Sequence, residues 1–252
     1  MTSSPLPVYP GVESAALSAI IARVLNRQRS ARADSVRLCA VVVPEILYTG
    51  VDLLPTHGPF LLTANHYSRP GFSTTWIAMS ISAALPMEVA WIMSNEWLFE
   101  GNPFAFLLRP AMRFVLNSIT RAYHFLPMPT MTPGFSTPQQ RSAGVRQVIE
   151  RLRAQPDLVL GLTPEGMDSP DGRLGLPPAG AGKFILYLQQ MGLPIVPVGV
   201  CEAKGSLQVH FGVPYSLQVD PSLPLSEVDL WVRQAVMQPI AVLLGESAQT
   251  LI

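Results

Sequence analysis

The chain has 252 residues, enough for one large domain whose core needs no staples. Its 17 basic and 17 acidic residues cancel, which counts against a nucleic-acid groove or a polybasic anchor. Charged residues make up 13% of the chain against 48% hydrophobic, and mean hydropathy is +0.30, so apolar surface outruns the polar residues that would cover it. Such a chain is expected to oligomerise or to lean on a membrane.

The first residues, MTSSPLPVYPG, lack a basic start followed by an apolar core, so no secretory signal is expected. Over 13–32, Leu17, Ile20, Ile21, Val24 and Leu25 recur at helical spacing, with Arg23, Arg27, Arg29 and Arg32 beside them. The pattern predicts one amphipathic helix with a basic end, packed on the main domain or laid in a bilayer interface. Residues 39–48 read as a strand and 50–58 as a turn-rich connector. FLLTA, residues 60–64, reads as a buried strand running into Asn65-His66 and a turn at Arg69-Pro70-Gly71.

A helix is expected over 73–85 and a strand over 88–94. Residues 96–116 are interrupted by Pro103 and Pro110 and predict short helices. A third strand over 123–128 leads to a proline-rich loop over 127–138. A helix over 139–154 precedes a strand over 157–163, which ends at Pro164-Glu165-Gly166. A helix over 183–191, strands over 194–200 and 207–211 and a closing helix over 227–244 complete the chain.

Strands alternating with helical runs predict an α/β fold, a mostly parallel central sheet flanked by helices, with the amphipathic helix ahead of it. The expected division is an arm and helix over 1–34, the α/β domain over 35–220, and a C-terminal helix over 221–252 packed on that domain. The run over 76–93 is broken by Pro86 and Glu88, so no transmembrane span is expected. Cys39 and Cys201 stand singly without metal spacing, which fits a reducing compartment such as the cytosol.

Two strand ends carry the chemistry. Asn65-His66 follows one and Pro164-Glu165-Gly166 the other, and in a parallel sheet both emerge at the same edge. Imidazole is the side chain that accepts and returns a proton near neutrality. The chain lacks the G-x-S-x-G elbow of serine hydrolases, and it lacks a P-loop, a dinucleotide fingerprint and H-E-x-x-H.

Four stretches in order resemble the motif blocks of the glycerolipid acyltransferases of the lysophosphatidate acyltransferase (PlsC) type. Ala64-Asn65-His66 matches the front of the Asn-His-x4-Asp block, and Thr163-Pro164-Glu165-Gly166 the middle of Phe-Pro-Glu-Gly-Thr-Arg-Ser. Residues 193–198, LPIVPV, match the apolar Val-Pro-Ile-Val-Pro-Val strand, and SNEWLF over 94–99 is a weaker echo. The resemblance implies transfer of a fatty acyl group from acyl-CoA or acyl carrier protein to a hydroxyl of a lipid acceptor, lysophospholipid-like or neutral. The alternative it leaves is a non-catalytic homologue that binds or presents lipid. It implies His66 as general base and a catalytic Glu165, with Asn65, Arg69, Pro164, Gly166, Asp168 and Lys183 around the substrate. No cofactor is implied beyond the acyl donor, and the expected place is the inner face of the cytoplasmic membrane.

The chain departs from the family at two places. Gly71 stands where the aspartate that orients the histidine is expected, which leaves Asp168, Glu165, Glu88, Glu96 or a backbone carbonyl as candidates for that task. The third block reads Gly166-Met167-Asp168-Ser169, with an acid where the phosphate-binding arginine is expected; Arg69, Arg121 and Lys183 are the cations left to compensate.

Overall fold

A computed structural model describes residues 6–9, 13–96, 104–130, 136–167 and 173–245. Among them the backbone forms a seven-stranded sheet in the order β1-β7-β6-β2-β5-β3-β4. The strands are β1 (Leu47–Thr49), β2 (Phe60–Ala64), β3 (Val89–Ser94), β4 (Leu126–Met128), β5 (Val159–Leu162), β6 (Ile195–Ala203) and β7 (Ser206–Phe211). All neighbours pair in parallel except β6 and β7, an antiparallel hairpin.

The helices are α1 (Glu13–Val24), α2 (Ala31–Cys39), α3 (Thr74–Ala84), α4 (Ala105–Tyr123), α5 (Pro138–Ala154), α6 (Ala181–Gln190) and α7 (Leu225–Leu244). The mostly parallel, helix-flanked sheet is the α/β architecture that the alternation of periods predicts.

β2 lies at the middle of the sheet, and every residue but Thr63 is apolar. Phe60, Leu62 and Ala64 face a core shared with Trp76, Ile77 and Ile81 of α3, while Leu61 faces Val148 of α5, Ile185 and Leu188 of α6 and Val232 of α7. With both faces covered, no position of the strand faces solvent. Full burial of each large residue contributes about 1.5–3 kcal/mol. Next to β2, Trp91 of β3 lies over Gly161 of β5, where a Cβ would stand 2.5 Å from the indole ring. The indole N–H is held by Ser82 Oγ at 2.9 Å, so the ring cannot yield and position 161 requires glycine.

Three expectations need correction. The basic amphipathic helix over 13–32 is two helices: α1 ends at Val24, Asn26 turns left-handed at φ 50°, and Ser30 starts α2 by accepting a bond from the Ala33 N–H. Residues 39–48 are the end of α2 and a bridge between Val8 and Val43, and only Leu47–Thr49 pairs as a strand. Pro110 does not split its segment: it sits in the second turn of α4 on an exposed face, where the Phe106 carbonyl that loses its N–H partner is open to solvent; the stretch over 97–103 lies outside the described residues.

Candidate active site

β2 feeds α3 on one face of the sheet and β5 feeds α6 on the other, although the two strands are neighbours. Chain leaving adjacent strands toward opposite faces opens a crevice at their carboxyl ends, where open α/β sheets bind ligands. The register Thr63↔Leu162 sets Asn65-His66 and Pro164-Glu165 side by side at that crevice. The convergence expected from two distant motifs is what the fold delivers.

Glu165 is the link between them. It is 4% exposed, and its carboxylate accepts from the His66 backbone N–H at 2.6 Å and from the Gly175 N–H at 2.6 Å. Charge-assisted bonds of this kind are about twice as strong as neutral ones. The glutamate therefore fixes the backbone that carries the histidine. Pro164 is buried in the turn that brings Glu165 round, and Gly166 closes it by donating to the Thr163 carbonyl at 3.0 Å.

Asn65 is 4% exposed and works as an extension of the sheet. Its Nδ2 donates to the Val200 carbonyl at 2.9 Å, and the Val200 N–H donates to its Oδ1 at 2.8 Å. The amide thus continues the β2–β6 ladder past Ala64↔Val198. Both ends of the amide lock the histidine loop to β6.

His66 itself is half-buried, and its Nδ1 lies 3.2 Å from Thr74 Oγ1 at the first turn of α3. The same hydroxyl donates to the Tyr67 carbonyl at 3.2 Å. Thr74 was not among the expected site residues. Its signal in the sequence was limited to a Ser-Thr-Thr helix start eight positions past the histidine.

Arg69 is engaged as well. Its Nε donates to Glu202 Oε2 at 2.6 Å and its Nη2 to the other Glu202 oxygen, which also accepts from Tyr9 Oη at 2.8 Å. Its bonds to the Glu202 carboxylate raise the guanidinium above its usual range, and burial together with Glu202 pushes the Tyr9 phenol upward. Arg69 braces the turn to β6. Lys183 is exposed on the first turn of α6, where its backbone N–H donates to Asp229 at 3.0 Å. Asp168 lies outside the described residues.

Gly71 closes a tight turn in which Arg69 and Phe72 exchange backbone bonds of 2.9 Å, and its φ of 83° is a left-handed value that disfavours aspartate. Glu88 is ruled out as its substitute, since it precedes β3 at the opposite edge and there binds Ser30 and the Arg32 N–H. Glu96 follows β3 and its carbonyl accepts from Ser94 Oγ.

A family model described as Acyltransferase matches residues 45–201, more than half of the chain and the whole span from β1 to the His66 and Glu165 loops and into β6. The chain belongs to the acyltransferase family. A similar fold is found in the crystal structure of PlsC, the 1-acyl-sn-glycerophosphate (LPA) acyltransferase of Thermotoga maritima, at a TM-score of 0.54 and 18% identity, covering 94% of this chain and 84% of that one. Comparison with curated proteins finds no match. The acyltransferase carries its first and third motif blocks in one hydrogen-bonded unit. No helix among the described residues is long and apolar enough to cross a membrane.

Proposed function

We propose that this acyltransferase moves a fatty acyl group from a thioester, acyl-CoA or acyl carrier protein, to the hydroxyl of a lipid acceptor. The observation that carries the reading is the bond from the His66 backbone N–H to Glu165, which makes one rigid unit of two motifs 99 positions apart. In this reading the His66 ring takes the proton of the acceptor hydroxyl as its oxygen attacks the thioester carbonyl. The tetrahedral intermediate collapses with loss of thiolate, which recovers the proton from the imidazolium. Backbone N–H groups at the strand ends stabilise the oxyanion. Glu165 acts through the backbone it holds.

The acceptor is a lysophospholipid or a neutral hydroxyl lipid. The pairing of Arg69 with Glu202 favours the neutral case, since it removes one of the cations that would hold a phosphate. The protein works at the inner face of the cytoplasmic membrane, supported by the exposed apolar residues of α1 and α4.

The test is release of free thiol from long-chain acyl-CoA by the purified protein, with and without lysophosphatidate or monoacylglycerol. Release that depends on the acceptor and disappears in His66→Ala is the expected result, a loss of about 10²–10⁴-fold for removal of a general base. Equal background in both proteins would discard the catalytic reading and leave a lipid-binding homologue.

A further inference from the structure

We propose that Thr74 is a positioning residue for His66, holding the ring through Nδ1 from the first turn of α3. The inference rests on His66 being the general base, and it goes further by assigning the proton on its ring. Thr74 Oγ1 sits 3.2 Å from His66 Nδ1 and 3.2 Å from the Tyr67 carbonyl. A hydroxyl has one proton and two lone pairs, and a carbonyl only accepts. When the hydroxyl proton goes to Tyr67, a bond to Nδ1 requires that nitrogen to be the donor. Both contacts are satisfied together, each with a proton of its own, when the ring carries a proton on Nδ1. The basic nitrogen is then Nε2, the nitrogen a general base needs to present.

The placement is rigid for reasons the sequence supplies. Thr74 is the first residue of α3, and Trp76 and Ile77 in the same turn are buried in the core. The Tyr67 carbonyl belongs to the residue after the histidine, so hydroxyl and ring are tied to one short loop. The difference from an aspartate is charge. A hydroxyl fixes tautomer and ring angle without adding a charge of its own.

The experiment compares wild type, Thr74→Ser and Thr74→Val in steady-state kinetics and in nitrogen NMR of the His66 ring. The expected results are a wild-type ring protonated on Nδ1, a serine variant close to wild type, and a valine variant whose ring samples both tautomers. In the valine variant kcat falls about 10–100-fold with KM for the acyl donor unchanged. A wild-type ring protonated on Nε2, or a folded valine variant with unaltered kcat, overturns the proposal. The tautomer is read on wild-type protein without turnover, so it decides the matter even when the valine variant misfolds. Full activity in His66→Ala would instead remove the base reading on which this one rests, with the tautomer result still standing on its own.

Discussion

Glu165 and His66 meet through a carboxylate and a main-chain N–H, at 2.6 Å, while the second oxygen of the same carboxylate holds Gly175 at 2.6 Å. A buried acid with backbone donors on both oxygens is a clamp: it closes the loop after β5 onto the loop after β2. Glu165→Gln keeps the size of the side chain but presents an amide N–H₂ to one of two N–H donors. One bond is lost and a donor faces a donor, at a cost of about 1.5–3 kcal/mol for a charge-assisted bond. The expected outcome is a lower urea midpoint together with a fall in kcat, since the histidine backbone loosens with the clamp. Loss of activity at unchanged stability would point instead to direct contact between Glu165 and substrate.

Restoring the family's aspartate is expected to fail. Gly71 has φ 83° in the turn between Arg69 and Phe72, and the Cβ of any substituent would meet Arg69 Nη1 at 3.4 Å. An aspartate in the left-handed region costs about 1–2 kcal/mol. Gly71→Asp should therefore melt lower than wild type and gain no kcat. A gain in kcat would show that the loop can re-form in the family's usual shape.

The strands and the two motif ends were legible because they rest on strong local signals. FLLTA and DLVLGL are apolar runs with turns behind them, and parallel pairing leaves one way to place their ends. The roles of Asn65 and Arg69 were not legible. Both look like polar residues beside a catalytic histidine, and both are used to fasten that loop to β6, at Val200 and Glu202, a strand more than 130 positions away. No local pattern encodes such a partner. The place of Thr74 is not legible for a similar reason: a threonine opening a helix is ordinary in sequence, and its value comes from where the preceding turn aims the imidazole. The split of α1 from α2 turns on Ser30, a capping residue among the arginines that follow the apolar series ending at Leu25.

The junction of α2 with α4 is expected to weaken in acid. Asp34 accepts from Arg29 Nε and Nη2, both at 2.7 Å, and from Tyr123 Oη at 2.8 Å. Burial alone pushes its carboxyl up, but the bonds from Arg29 and Tyr123 outweigh that and hold it below the usual range. The unfolded carboxyl titrates near about 3.9. A folded value below that makes the contribution to stability complete above the unfolded pKa and lost as pH falls toward the folded one. Melting curves of wild type and Asp34→Asn should differ by a constant amount from neutral pH down to about 5 and converge below about 4. A gap that does not change with pH would mean the carboxylate contributes shape alone.

The membrane reading is best tested on α4 without removing α1. Ala19 and Ala22 of α1 pack on Ala122 near the end of α4, and Arg23 lies over the Phe114 ring at 4.6 Å, so the two helices form one unit. Deleting the N-terminal helix would uncover the face of α4 beneath it and create apolar surface where none was. Phe106 and Leu107 on α4 are 70% and 62% exposed, and Val24 on α1 is 74% exposed. Large apolar side chains left in water at a basic helix pair suit a bilayer interface with anionic headgroups. Replacing both Phe106 and Leu107 by aspartate should leave the circular dichroism and melting curve in place, because neither contributes to the core. It should lower cosedimentation with phosphatidylglycerol vesicles by at least about tenfold, since burying each of these residues in the interface is worth about 1.5–3 kcal/mol. Binding that persists in the double variant would locate the lipid contact elsewhere on the chain.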